Sequence, residues 1–180
     1  PKADGLRIAE VMPKSPVVKE GSRIKAGVVI EKIDGQAITA SIDEAQLLNR
    51  KVGKPTLLSL FDPAKGERWE ETVKPISGDN EGELLYNRWV SRCRHLVDSL
   101  SGGRIGYVHV EGMDDGSYRK VYEDALGKYH DKDALIVDTR FNGGGWLHDD
   151  LATFLSGHDY IRMEPRGQRL GNEPQFKWQK

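Results

Sequence analysis

Between residues 5 and 76 the apolar positions come in short runs at 6–12, 28–33, 56–61 and 69–76. Turn residues separate them, at Pro13, Pro16, Gly21, Asp34-Gly35, Lys54-Pro55 and Pro63. Runs of this length, bounded this way, predict strands. Between the second and third run, Ile42, Ala45, Leu48 and Val52 recur every three or four positions, which predicts a helix over 41–49 with one buried face. Ser41 is placed to cap it, and Glu44 stands three residues on, as in a capping box.

Beyond residue 76 the period changes. The stretch 76–83 is polar and glycine-containing and reads as a linker. Over 84–100 Leu85, Trp89, Cys93, Leu96, Val97 and Leu100 lie on one helical face, and Gly102-Gly103 stops the helix. A strand at 105–110, a helix at 117–129, a strand at 134–138, a glycine turn and a helix at 147–155 follow. Strand and helix alternating at these lengths predict a parallel α/β unit with right-handed crossovers.

Composition narrows the function. The 180 residues carry 27 Lys+Arg against 28 Asp+Glu, a formal net charge of −1. No net attractive field exists for phosphates or anionic lipids, which disfavours a generic nucleic-acid binder or a polybasic membrane protein. Mean hydropathy is −0.60, and no apolar run approaches the ~18 residues of a spanning helix. The one cysteine, Cys93, excludes an internal disulfide framework and a cysteine-rich zinc site. The five histidines show no ligand spacing such as H-E-x-x-H, so neither metal nor cofactor is expected. The chain opens on Pro1 without a signal-peptide layout and reads as a fragment or processed chain. Its compartment stays open between cytoplasm and bacterial periplasm.

The sharpest local feature is Asp138-Thr139-Arg140-Phe141-Asn142-Gly143-Gly144-Gly145-Trp146. It follows a buried apolar run and precedes a helix, so three glycines sit at the carboxyl end of a strand, where α/β sheets place ligands. Such a turn is a candidate anion cradle or oxyanion hole. The absence of dinucleotide and phosphate-loop spacings weakens the first, and a bare glycine triplet is equally a structural loop. Ser15, Ser41, Ser101 and Ser117 read as caps, and none lies in a G-x-S-x-G elbow. Asp138 and Arg140 are expected to pair, Cys93 to be an inert core thiol, and the tryptophans to be packing anchors, with Trp146 a possible pocket wall.

Gly103-Arg104-Ile105-Gly106-Tyr107-Val108-His109-Val110, together with Leu135-Ile136-Val137-Asp138-Thr139-Arg140-Phe141-Asn142-Gly143-Gly144-Gly145, resembles the core of the tail-specific (carboxyl-terminal processing) serine peptidases, and is most similar to their tricorn branch. The helix carrying Arg88-Trp89-Val90 and Arg94-His95-Leu96-Val97 also resembles the tricorn segment that precedes its second catalytic subdomain. Ser15-Pro16-Val17, Gly21 to Ile30 and Ile33-Asp34-Gly35 resemble protease-associated PDZ domains, with Val28 departing from the usual Asp.

The resemblance implies an α+β, PDZ-like barrel or sandwich with a helix, followed by a partial α/β peptidase domain of the ClpP/crotonase type. The expected division is 1–77 for an N-terminally incomplete PDZ-like domain, 78–103 for linker and connecting helix, and 104–180 for the first part of the peptidase domain. It implies hydrolysis of peptides or unfolded proteins, with no nucleic-acid partner and with homo-oligomers of the full-length protein. An oxyanion-hole N–H is expected from Gly143, Gly144 or Gly145, with Gly144 first by position. The nucleophilic serine and its base are expected outside this stretch, which leaves the fragment alone inactive. The rival reading is a non-catalytic PDZ scaffold, and Gly144→Val in the complete protein is the substitution that sequence suggests for separating the two.

Overall fold

The computed structural model describes residues 5–168 and 170–178. The chain divides into two compact units, Pro1–Trp89 and Val90–Lys180.

In the first unit the strands β1 (Leu6–Arg7), β2 (Val29–Ile33), β3 (Gln36–Ala37), β4 (Thr56–Asp62) and β5 (Glu67–Val73) form one antiparallel sheet in the order β1-β2-β4-β5, with β3 also paired to β2. The β2–β3 hairpin turns on Asp34-Gly35, both at positive φ (48° and 80°), the pairing of left-handed residues that a two-residue turn of the strands' own twist requires. β4 buries every second residue, Thr56, Leu58, Leu60 and Asp62, so one face of the sheet meets the core. That core is Val28, Ile33, Ile38, Leu47, Leu58, Leu60 and Val73.

Helix α1 (Glu44–Leu48) is shorter than the expected 41–49. Asp43, not Ser41, caps it, accepting from the Ala45 N–H at 3.0 Å, while Ser41 Oγ bonds the Thr39 hydroxyl. Leu47 is its buried residue, and Ala45, Leu48 and Val52 face solvent. With the helix reduced to five residues, the buried contact is made by Leu47 rather than by the stripe Ala45, Leu48 and Val52.

The expected linker at 76–83 is helical from Gly78, as α2 (Gly78–Ser101). Ser77 Oγ accepts from the Asn80 N–H at 3.3 Å, and Asp79 and Glu81 occupy the first turn, where acidic side chains complement the helix dipole. Glycine and polar residues here are cap chemistry, not linker chemistry. Within the expected apolar face, Trp89, Cys93 and Val97 are half-buried and Leu85, Leu96 and Leu100 are exposed.

The second unit holds β6 (Ile105–His109) and β7 (Ala134–Asp138), parallel in the register Tyr107↔Ile136 and His109↔Asp138. The connection between them contains α3 (Asp115–Glu123), continued by one π-helical turn, Asp124–Lys128. Asp114 caps α3, accepting from the Ser117 N–H at 2.9 Å. Helix α4 (His148–Ser156) follows the glycine turn. These elements enclose Val108, Val110, Val121, Ala125, Tyr129, Leu147, Leu151 and Phe154. Past α4 a short antiparallel pair, β8 (Ile161–Met163) and β9 (Gly171–Glu173), has no counterpart in the hydrophobic pattern; its strands are too short to alternate legibly. No described helix is long and apolar enough to cross a membrane.

Candidate active-site turn

β6 and β7 run in the same direction, so their carboxyl ends open onto one edge, and the segment 139–147 crosses that edge before α4. Val110 N–H donates to the Asp138 carbonyl at 2.8 Å, which extends the ladder to the last residue of β7. From there the chain is held by side chains.

Asp138 is buried and collects donors from two directions. Tyr107 Oη donates to its Oδ2 at 2.6 Å. From the turn, Arg140 donates its backbone N–H to Oδ1 at 2.9 Å and its Nε to Oδ1 and Oδ2 at 3.0 and 2.9 Å. The Arg140 hydrogen bonds foremost, with Tyr107's in support, hold the Asp138 carboxyl well below the usual carboxylate range despite its burial. Burial, and then the bond to that carboxylate, push the Tyr107 phenol up. Asp138 is thus a fixed anion that ties the start of the turn to β6, and it has no proton to transfer near neutral pH. The pairing of Asp138 with Arg140 is as sequence suggests; the third partner, Tyr107, is supplied by the parallel register.

His109, also buried, meets the Arg140 carbonyl through Nε2 at 2.8 Å. A carbonyl only accepts, so Nε2 carries the hydrogen and the ring acts here as a clamp. Asn142 makes the next tie. Its backbone N–H donates to the Thr139 carbonyl at 3.2 Å, its Nδ2 donates to the Val110 carbonyl at 2.9 Å, and its Oδ1 accepts from the Gly144 N–H at 2.8 Å. The last is an Asx turn, a motif asparagine favours for its acceptor two residues from the next amide.

Gly144 and Gly145 stand at φ of 88° and 147°. Gly145 lies in a parallel bridge to Met113, and a Cβ built there meets the Met113 Cβ at 2.6 Å and its carbonyl oxygen at 2.8 Å. Backbone passing this close to backbone requires glycine. At Gly143 and Gly144 a Cβ would meet nothing within 4 Å, so the surface over these two residues is open. His148 Nδ1 donates to the Gly145 carbonyl at 3.3 Å.

Two aromatics flank the glycines. Phe141 has a positive φ of 64° and is 88% exposed, and Trp146 is 91% exposed. Trp146 is therefore not the packing anchor that its residue type suggests; Leu147 beside it is the buried residue that seats α4. Ser117 lines a groove of about 440 Å³ with His109, Glu111, Asp114 and Lys120, but its Oγ accepts from the Gly112 N–H at 3.1 Å and serves the α3 cap. Cys93 is half-buried in another groove with Tyr107, Ile136, Asp138 and Arg140.

Residue-by-residue reading of the sequence did not single out Tyr107 or Asn142. Asparagine two residues before a turn glycine is a local signal that finds the second. Nothing local finds the first, whose role depends on strand pairing.

Residues 104–178 match the profile of Peptidase family S41. Over 94% of its length the chain is 32% identical to Tricorn protease homolog 1 of Streptomyces coelicolor, covering 16% of that protein. It is 31% identical over 161 residues to the Tricorn protease of Thermoplasma acidophilum, covering 15% of it. Among solved structures, the crystal structure of the tricorn protease superposes with a TM-score of 0.69 at 26% identity, over 97% of this chain and 17% of that one. The chain thus spans about a sixth of the length of the relatives it matches.

Proposed function

We propose that the chain is part of a serine peptidase that hydrolyses bonds in peptides or unfolded proteins, since residues 104–178 match Peptidase family S41 and the chain is similar to tricorn proteases. The observation that carries the reading is the glycine turn at the carboxyl edge of a parallel strand pair, open over Gly143 and Gly144 and tied on its other side to Val110 and Met113, just past β6.

In acyl transfer the scissile carbonyl oxygen gains negative charge as the tetrahedral intermediate forms. Backbone N–H donors already aimed at that position stabilise it without reorganisation, and loss of one costs about 2.7–4 kcal/mol. Gly143, Gly144 or Gly145 supplies such a donor in this reading, with Gly144 first by position. The Gly144 N–H rests on Asn142 Oδ1, so the substrate oxygen shares that hydrogen or takes an adjacent amide of the turn. Ser41, Ser101 and Ser117 are engaged in local hydrogen bonds, whereas the buried Ser15 hydroxyl makes none and so does not act as the cap that sequence suggests; in this reading, as in the family it resembles, the nucleophile lies outside these residues. The second unit would then be the first part of a ClpP/crotonase-type α/β domain. The first, an antiparallel sheet with α1 set between β3 and β4, would be a PDZ-like domain that binds peptide or gates its entry, in a full-length protein that assembles with itself.

The test is hydrolysis of fluorogenic peptides by the full-length protein, with and without a serine-directed organophosphonate. Turnover abolished by the reagent is expected. Saturable peptide binding without turnover would overturn the peptidase reading in favour of a scaffold.

A further inference from the structure

We infer that Asn142 is a positioning residue of the glycine turn, fixing the direction of its amide donors; the inference rests on the peptidase reading above. Three features lead to it. The residue before Asn142, Phe141, is held at a positive φ that a bulky residue disfavours, and those after it are three glycines with little conformational preference of their own, so neither side fixes the turn by itself. The Asn142 side chain reaches in two directions at once, to the Val110 carbonyl at the end of β6 and to the Gly144 N–H in the middle of the turn. It thereby carries the rigidity of the sheet into the glycines. The other ties act at the ends, Asp138 and His109 on Arg140 and Met113 on Gly145, which leaves Asn142 as the brace on Gly144.

The chemistry is specific to a carboxamide. One end must donate to a carbonyl while the other accepts from an amide; aspartate at neutral pH only accepts, and an aliphatic side chain does neither. When a substrate oxygen arrives, either it shares the Gly144 hydrogen with Oδ1 or it takes a neighbouring amide whose direction the same brace sets. In both cases the side chain touches no reacting bond and acts through the glycines. Its effect belongs to the transition state, in which the oxygen is charged, more than to the bound substrate.

The experiment compares Asn142→Ala and Asn142→Asp with wild type in the full-length protein. A small misalignment of a donor is enough to cost about a hundredfold in rate, so Asn142→Ala is expected to lower kcat by about 10- to 100-fold with KM within about twofold. Asn142→Asp, isosteric and able to accept from Gly144, is expected to lose at least as much, because its charge faces both the Val110 carbonyl and the developing oxyanion. Inhibition by a peptide aldehyde, which places an oxygen in the same site, should weaken in parallel with kcat, while the affinity of the matching peptide alcohol stays level. An unchanged or raised kcat, or an Asp variant at wild-type activity, overturns the inference. So does a fall in kcat that follows loss of folded protein by circular dichroism, with the surviving fraction fully active. Absence of serine-reagent-sensitive turnover in the wild type removes the peptidase reading itself, and this inference with it, which keeps the two failures apart.

Discussion

Alanine placed at each glycine of the turn in succession reports how the chain is held there. At Gly143 the backbone is not in the positive-φ region and the added methyl meets nothing within 4 Å. Alanine there reduces only the freedom of the unfolded chain, so Gly143→Ala is expected to be neutral or stabilising by up to about 1 kcal/mol. At Gly144 space is again open, but φ is 88°, and holding an L-residue in left-handed backbone costs about 1–2 kcal/mol. At Gly145 φ is 147°, and the methyl would overlap Met113 at 2.6 and 2.8 Å. Overpacking of that kind adds about 1–3 kcal/mol to the backbone cost, for about 2–5 kcal/mol in all. Urea denaturation of the three purified variants, with hydrogen exchange of the segment 139–147 to localise the effect, should give the order Gly143, Gly144, Gly145. A Gly145→Ala protein as stable as Gly143→Ala would refute the close approach to Met113. The same numbers change the substitution that sequence suggests: valine at Gly144 adds a β-branched side chain at positive φ, where such residues are outliers, so Gly144→Ala, which keeps the same N–H, disturbs the turn with less added strain.

Two further outcomes follow from the same unit. Asp138→Asn removes a carboxylate whose folded pKa is depressed, and a depressed acid contributes stability above its unfolded value near 3.9 that is lost as pH falls through the folded one. The gap in urea midpoint between wild type and Asp138→Asn is therefore expected to hold level from pH 8 to about pH 5 and to narrow below about pH 4; a gap that persists unchanged at pH 2.5 contradicts the Arg140 and Tyr107 interactions. Phe154 is 1% exposed and packs against Tyr118 and Tyr122 at centroid distances of 6.3 and 5.2 Å. Its truncation to alanine should cost about 3–5 kcal/mol in the same denaturation experiment, and a cost under 1 kcal/mol would place the residue outside the core.

Much of the order of elements is written in local chemistry. The apolar run 56–61, the Asp34-Gly35 turn and the apolar run 134–138 each act on their own neighbours, and β4, the β2–β3 hairpin and β7 appear where those signals stand. Errors cluster where two local signals compete. Ser41 and Asp43 can both cap a helix, and the structure uses the second, which brings Leu47 in place of Leu48 against the sheet. Ser77, Gly78 and Asp79 read equally as linker or helix start, and the difference lies in whether the residues that follow find something to pack on. The π-helical turn at 124–128 has no sign in the local sequence pattern.

The glycine turn divides along the same line. Sequence alone determined that Gly143, Gly144 and Gly145 follow a strand and that Asp138 and Arg140 stand within reach of each other, since both depend on residues adjacent in the chain; the exposure of Ala134 and Ile136 on β7, against the buried strand its apolar run predicts, does not. Tertiary structure alone decided that Tyr107 shares the Asp138 carboxylate, that His109 clamps Arg140, that Asn142 reaches the Val110 carbonyl, and that Gly145 passes against Met113. Each of these contacts joins residues about 30 positions apart. Their meeting depends on the parallel register of β6 and β7, and that register is set by which side chains fill the core around Val108 and Phe154, an outcome of packing that no local pattern encodes.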